Sequence, residues 1–169
     1  MMMRPTVKIN AILDTRFYFV TPTEDDKEEI IQAVYDAHST GYTSSVREIN
    51  KLEIEEAINR RFLLFTQTNT LYMSTLVRCK EDHTLAGVCI AGIYPNPQND
   101  FSTIHQVSVP PQFRRQGIGE AMMLNSISIA SEVSPVITLG VLIGNPAELL
   151  YRKIGFVAGP GYSELNYEI

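Results

Sequence analysis

The stretch Thr103–Ala121, TIHQVSVPPQFRRQGIGEA, constrains this chain more than any other. Ile104, Val107 and Val109 supply the β-branched, half-buried character of a strand. Pro110 and Pro111 lack the N–H that a sheet ladder needs, so the strand ends there. Arg114, Arg115, Gln116, Gly117, Ile118 and Gly119 follow, and Glu120 to Ile129 has helical composition. A helix start carries unpaired backbone N–H groups and a partial positive charge. Two glycines let a ligand approach that backbone closely, and two arginines add charge and donors. Arginines at a helix start oppose the dipole and so call for an anion. The combination predicts an anion site suited to a phosphate or pyrophosphate.

The rest of the chain reads as strands and helices around this unit. Met1 to Asp14 shows no clear period and is read as an irregular lead-in or a short edge strand. Arg16–Val20 is a strand, stopped by Thr21-Pro22-Thr23. Thr23 with Asp26 approximates a capping box, and Glu24, Asp25 and Asp26 suit a helix start. Ile30, Ile31, Val34 and Ala37 share one face of that helix, which should end near His38. Ser45 and Glu48 suggest a second capping box and a second helix reaching about Arg60. Its Glu53, Glu55 and Glu56 against Lys51, Arg60 and Arg61 look like a solvated face. Phe62–Phe65 fits either a short strand or the helix end.

Thr70–Cys79 and Leu85–Tyr94 read as two strands joined by the polar turn Lys80–His83, an antiparallel hairpin. Pro95–Asp100 is a loop. After the central strand and its helix, Pro135–Ile143 is a buried strand. Asn145-Pro146 then looks like an N-cap followed by proline, and the helix should end at Gly155. Phe156–Ile169 is expected to add one or two closing strands. The order β-α-α-β-β-β-α-β-α-β implies an α/β fold with a mixed sheet covered by helices. Ligands of such sheets sit at the carboxyl ends of strands. No repeat, low-complexity tract or linker appears, so residues 1–169 are expected to form one domain, with 1–14 as its lead-in.

The segment around Arg114, Gly117 and Gly119, preceded by a strand closing on Val109, resembles motif A of the GNAT family of acetyl-CoA-dependent N-acyltransferases. The stretch Asn145–Phe156, NPAELLYRKIGF, resembles its motif B, with Ala147, Leu150, Tyr151, Lys153, Gly155 and Phe156 in register. Asn145 stands six residues before Tyr151, where the commoner spacing is seven; Gly144 holds the usual slot. The resemblance implies the GNAT acyl-CoA N-acyltransferase fold. It also implies that Arg114, Arg115, Gln116, Gly117, Ile118, Gly119 and Glu120 cradle the coenzyme A pyrophosphate. Val107, Ser108, Val109 and Asn145 would hold the pantetheine arm, with the Val109 N–H as oxyanion donor.

Acyl transfer from a thioester to an amine needs a neutral amine, a polarised carbonyl and a proton for the departing thiolate. Tyr151 stands where the family places its general acid; packing its ring in the core is the structural alternative. His105 is the candidate base, since histidine titrates near neutrality. Strict alternation puts His105 on the face of Val107 and Val109, but a β-bulge, common in this strand of the family, would reverse that. His38 and His83 read as solvent-facing or core histidines, and Met122, Met123 and Leu124 as core.

Composition enters by exclusion. A net charge of −5 argues against a nucleic-acid partner. No apolar run reaches membrane-spanning length, and the start lacks a secretory h-region, so a cytoplasmic protein away from membranes is expected. Two cysteines ten residues apart exclude a disulfide scaffold and disfavour structural zinc. No metal is expected, and neither cysteine is placed as an acyl carrier. The Gly117–Gly119 turn lacks the third glycine of a dinucleotide fingerprint, and no P-loop pattern occurs. The reading is an N-acetyltransferase using acetyl-CoA on a small-molecule primary amine by direct attack in a ternary complex. A protein or peptide N-terminal acetyltransferase and a non-catalytic acyl-CoA-binding regulator are the alternatives. An exposed sheet edge would support a homodimer.

Overall fold

A computed structural model describes residues 1–95 and 101–159. Most of the Pro95–Asp100 loop and the chain beyond residue 159, where closing strands were expected, lie outside the described residues. The elements run β1 (Met2–Pro5), β2 (Phe17–Val20), α1 (Lys27–Ser39), α2 (Tyr42–Val46), α3 (Lys51–Gln67), β3 (Thr75–Cys79) and β4 (Leu85–Gly92). They continue with β5 (Phe101–Ser108), α4 (Ile118–Ala130), β6 (Val136–Leu139), α5 (Ala147–Lys153) and β7 (Val157–Ala158). One mixed sheet holds the strands in the order β2-β3-β4-β5-β6-β1-β7. Among the described residues only β5 and β6 are parallel; the other pairs are antiparallel. This is the α/β mixed sheet that the order of elements predicted.

The sheet buries both faces. Ala86, Cys89, Ala91, Ile104 and Leu139 point to the side of α4 and α5, where they meet Met122, Met123, Ile127 and Tyr151. Leu76, Leu85, Val88 and Ile90 point the other way, against Ile30 and Val34 of α1 and Ile58, Phe62 and Phe65 of α3. β4 is an interior strand, and all eight of its residues are buried. A Cβ on its Gly87 would fall 2.7 Å from Ile118 Cγ2, so the absent side chain lets the first turn of α4 sit against the sheet. That contact fixes the height of the α4 N-terminus relative to the strand ends.

Several local expectations are corrected. The lead-in is not an edge strand: β1 lies between β6 and β7, with Met2 buried. The Ser45–Glu48 box does not start the second long helix. A short α2 intervenes, and α3 begins behind Asn50, whose side chain accepts the Leu52 N–H at 2.9 Å. Phe62 and Phe65 continue α3 rather than forming a strand, because both fit its buried face. The Thr23–Asp26 box is present, on a single turn of tighter helix that leads into α1. Met122 and Met123 are core as expected. Among the described residues no helix is long and apolar enough to cross a membrane.

Two irregularities in β5 make the site. Ile90 pairs with Gln106 but Ala91 pairs with Ile104, so His105 is an extra residue, a β-bulge. The parallel pairing with β6 ends at Ile104 opposite Leu139. Beyond that point β5 runs on through Ser108 while β6 has stopped. The two strands part there, and a gap opens between them.

Candidate active site

The turn after β5 presents a row of free amides. Arg114 N–H bonds Pro111 O at 3.3 Å, and the first helical bond of α4 is Ala121 N–H to Gly117 O at 3.0 Å. Among the described residues, the six backbone N–H groups of Arg115 to Glu120 meet no acceptor. Arg115 (φ 63°) and Gly117 (φ 77°) both take left-handed backbone, which bends successive amides toward one side. Glycine adopts that conformation freely; for Arg115 it costs on the order of 1 kcal/mol, strain of the kind that collects at functional sites. With the α4 dipole behind it, the turn is a preformed anion nest.

The side chains of the turn mostly serve to hold it. Gln116 Oε1 accepts from Arg16 at 3.0 Å, and its amide donates to Gln112 O at 3.3 Å. Ile118 is buried. Glu120 pairs with Lys153 at 2.5 Å and ties α4 to α5. Arg114 departs most from expectation. Its guanidinium donates to Val109 O (3.2 Å), Thr40 O (3.2 Å), Ala37 O (2.9 Å) and Thr40 Oγ1 (2.9 Å). It therefore closes the carbonyl end of α1 and clamps α1 to the turn, while Arg115 is the exposed cation beside the nest. Removing Arg114 strands two partly buried carbonyls, those of Val109 and Ala37. Arg114→Ala should lower stability by about 1–3 kcal/mol, seen as a fall in Tm. A Tm equal to the parent's would show the clamp to be idle.

A cleft of about 280 Å³ leads away from the nest along the gap between β5 and β6. Val107, Ser108 and Val109 form its β5 wall; Asn145, Ala147, Leu150 and Tyr151 form the α5 wall. Gly119 lies at the nest end, and Ala37, His38, Gly41, Tyr42 and Thr43 close it from the side of α1 and α2. Asn145 Oδ1 caps α5 by accepting the Ala147 N–H at 2.9 Å, which leaves its NH₂ group without a partner among the described residues. Tyr151 is buried, packs edge-on to Phe156 (6.3 Å), and its hydroxyl has no hydrogen-bond partner among the described residues. Burial, with the neighbouring Cys89 thiol as a lesser cause, pushes the Tyr151 hydroxyl up to about 12, so it keeps its proton at neutral pH. Neither cysteine lines the cleft. A larger cavity of about 450 Å³ lies across Gln116, between Phe17 and Phe113, and contains none of the Tyr151 wall.

His105 sits elsewhere. The bulge turns it, with Gln106, toward α1 and α3, where its ring lies 5.5 Å from Phe65 and 4.9 Å from Tyr94. It does not line the cleft with Tyr151. Burial first, and the charge of Arg61 second, lower its pKa from 6.5 to about 4. The native chain thus holds neutral a ring that the unfolded chain protonates. Between pH 6.5 and about 4 the unfolded state binds more protons, so this contribution is full above pH 6.5 and is lost as pH falls to 4. The unfolding free energy read from urea melts should therefore drop more from pH 7 to pH 4.5 in the parent than in His105→Gln, by up to about 3 kcal/mol. Equal drops would place His105 in solvent.

Gln106, which the sequence did not mark, and His38, read there as solvent-facing or core, both belong to the region. Gln106 Nε2 lies 2.9 Å from His38 Nε2 and 2.8 Å from Ser108 Oγ, so the end of α1 is hydrogen-bonded to the cleft strand. His38 lines the cleft, partly buried, with its pKa lowered by that burial and by Arg47. Arg61 is not on a solvated face but half-buried beside Tyr94. His38 stood at a helix end without periodic neighbours, and no pattern marked it.

A parted β5–β6 pair, a free-amide turn on a helix start and a tyrosine across the gap define an acyl-CoA-binding architecture. The family model of the acetyltransferase (GNAT) family matches residues 31–156, and the chain belongs to that family of acetyl-CoA-dependent acyltransferases. Comparison with curated proteins gave no match. Among solved structures it resembles a GCN5-related N-acetyltransferase from Sphaerobacter thermophilus (TM-score 0.70, 17% identity), covering 92% of this chain but only 47% of that one. It resembles a transcriptional regulator from Bacillus halodurans (TM-score 0.65, 18% identity, 89% and 99% covered). It also resembles the PaiA N-acetyltransferase from Thermoplasma acidophilum in complex with coenzyme A (TM-score 0.64, 17% identity, 85% and 91% covered).

Proposed function

We propose that the chain is an N-acetyltransferase, one domain over residues 1–169, that transfers the acetyl group of acetyl-CoA to the primary amine of a small molecule in a ternary complex. The observation that carries this reading is the continuous path from the open amides of residues 115–120, through the β5–β6 gap, to the unpartnered Tyr151 hydroxyl. The nest and Arg115 bind the diphosphate. Backbone groups of Val107, Ser108 and Val109, no longer paired to β6, hold the pantetheine arm, joined by the free NH₂ group of Asn145. The amine attacks the thioester carbonyl, whose oxygen takes a hydrogen bond from the Val109 N–H. Tyr151 gives its proton to the departing sulfur. Burial weakens Tyr151 as an acid, but the same dry cleft raises the sulfur's own affinity for a proton. His105 lies outside the cleft and receives the amine proton only through a chain of waters.

The small acceptor is supported by a bridge across the cleft. Tyr42 Oη donates to Ile143 O at 2.9 Å, so α2 reaches over to the segment following β6. That bridge narrows the side on which a peptide would need an open groove. The Bacillus relative gives the regulator reading its one point of support. Thiol release decides between them: the account expects release from acetyl-CoA that depends on an added amine. Acetyl-CoA binding without release for any amine in a broad panel would favour the regulator.

A further inference from the structure

Resting on the acyl-transfer reading above, we propose that Arg61, His105 and Tyr94 form a carboxylate subsite, and that the acceptor is therefore a primary amine that also bears a carboxylate. Arg61 projects from α3 and uses only Nη1, which donates to Ala57 O of its own helix at 2.8 Å. Its Nε is buried and has no partner, and among the described residues no carboxylate pairs with the guanidinium. A guanidinium stays charged in any protein setting, so a sheltered one without a counter-ion is costly unless an anion joins it. The edge left open, Nε–H with Nη2, is the edge that grips the two oxygens of a carboxylate side by side.

The surroundings suit such a guest. A hollow of about 130 Å³ is lined by Ala57, Arg60, Arg61, Leu64 and Tyr94. It offers two cations, an aromatic ring and aliphatic walls and, among the described residues, no acid. The volume admits a carboxylate and leaves little room for a larger anion. Behind Tyr94, outside the hollow's own lining, His105 has a buried Nε2 without a partner, its ring 4.9 Å from that of Tyr94. Among the described residues the hollow and the cleft have no lining residue in common; Gln106 lies between them. His105 is followed by Gln106, whose amide touches His38 and Ser108, both on the cleft wall. At about 3.3 Å per residue along the strand, His105 is roughly 10 Å from Ser108, a span that only a long-chain amino acid approaches.

The arrangement links binding to the proton acceptor. The charged and titratable groups facing His105 are Arg61, with Arg60 beyond it, from α3, and Tyr94 after β4. Pairing Arg61 with a carboxylate cancels the lesser of the two causes that lower the imidazole's pKa, so an acceptor in the hollow raises the basicity of His105 while burial, the larger cause, still holds it down.

The test compares acetylation of β-alanine, γ-aminobutyrate and ε-aminocaproate with the alkylamines of matching length. At least one amino acid should exceed its alkylamine about tenfold or more in kcat/KM, the return of one charge-assisted contact. Arg61→Met should reduce the amino acid at least tenfold more than the alkylamine, chiefly through KM. No advantage for any amino acid, or equal losses for both classes, overturns the proposal. Should Arg61→Met not fold, butyrate added to the unaltered chain should shift the His105 imidazole resonance and raise its pKa; no shift at millimolar butyrate overturns it equally. The two readings separate cleanly. If no amine is acetylated, acyl transfer fails, whereas a butyrate response at His105 still upholds the subsite.

Discussion

Tyr151→Phe should lower kcat by about 10²–10⁴-fold and leave acetyl-CoA affinity within about twofold of the parent. The substitution removes one hydroxyl and keeps the ring that packs on Phe156 and the Leu150 side of the cleft. That hydroxyl has no structural partner among the described residues, so its loss strands no buried group. Its only consequence is for a charge that develops in the cleft. The sulfur leaving the thioester carries that charge, and water has little access to neutralise it. A loss confined to kcat and kcat/KM marks an interaction made in the transition state alone. An unchanged kcat, with thiol release still amine-dependent, would take Tyr151 out of the chemistry and leave it a packing residue.

Gly119→Val should weaken acetyl-CoA binding by about 100-fold or more, roughly 2.7 kcal/mol, with little change in Tm. A single methyl fits at this position, since a Cβ would stand 3.5 Å from Leu150 Cδ2 and 3.7 Å from Val109 Cγ2. The two further methyls of valine have no free space except the cleft between those residues, at the nest end of the path. Gly119 does not have the left-handed backbone of Gly117, so the substitution blocks the ligand without straining the turn. Calorimetry with acetyl-CoA beside a thermal melt separates the two effects. Affinity retained in a variant of normal Tm would mean that the ligand does not pass between β5 and α5.

The strand–turn–helix at the centre was legible because every part of it is local. Two prolines, two glycines and a β-branched run mark it without reference to the rest of the chain, and Gly155 marks the end of α5 in the same way. The hairpin of β3 and β4 was legible for the same reason. What failed was what depends on distant partners. β1 is four residues long and becomes an interior strand only because β6 and β7 flank it. Ser45 and Asn50 are both able caps; packing of Ile54, Ile58 and Phe62 selects Asn50. Arg114 fills the motif position but answers to the carbonyls at the end of α1, more than 70 residues earlier. Arg61 resembled a solvated residue because acidic neighbours crowd its helix. Its own i−4 and i+4 neighbours, Ala57 and Phe65, carry no charge.

The account rests on the amides of residues 115–120 as the grip on the diphosphate, and an amide-resonance titration with coenzyme A reads them one by one. It predicts large, saturable shifts for Arg115 to Glu120, with smaller ones along Val107–Val109 and at Tyr151. Saturable binding that leaves those six amides unmoved, and instead shifts Phe17, Lys80 and Phe113 around the larger cavity, would contradict it.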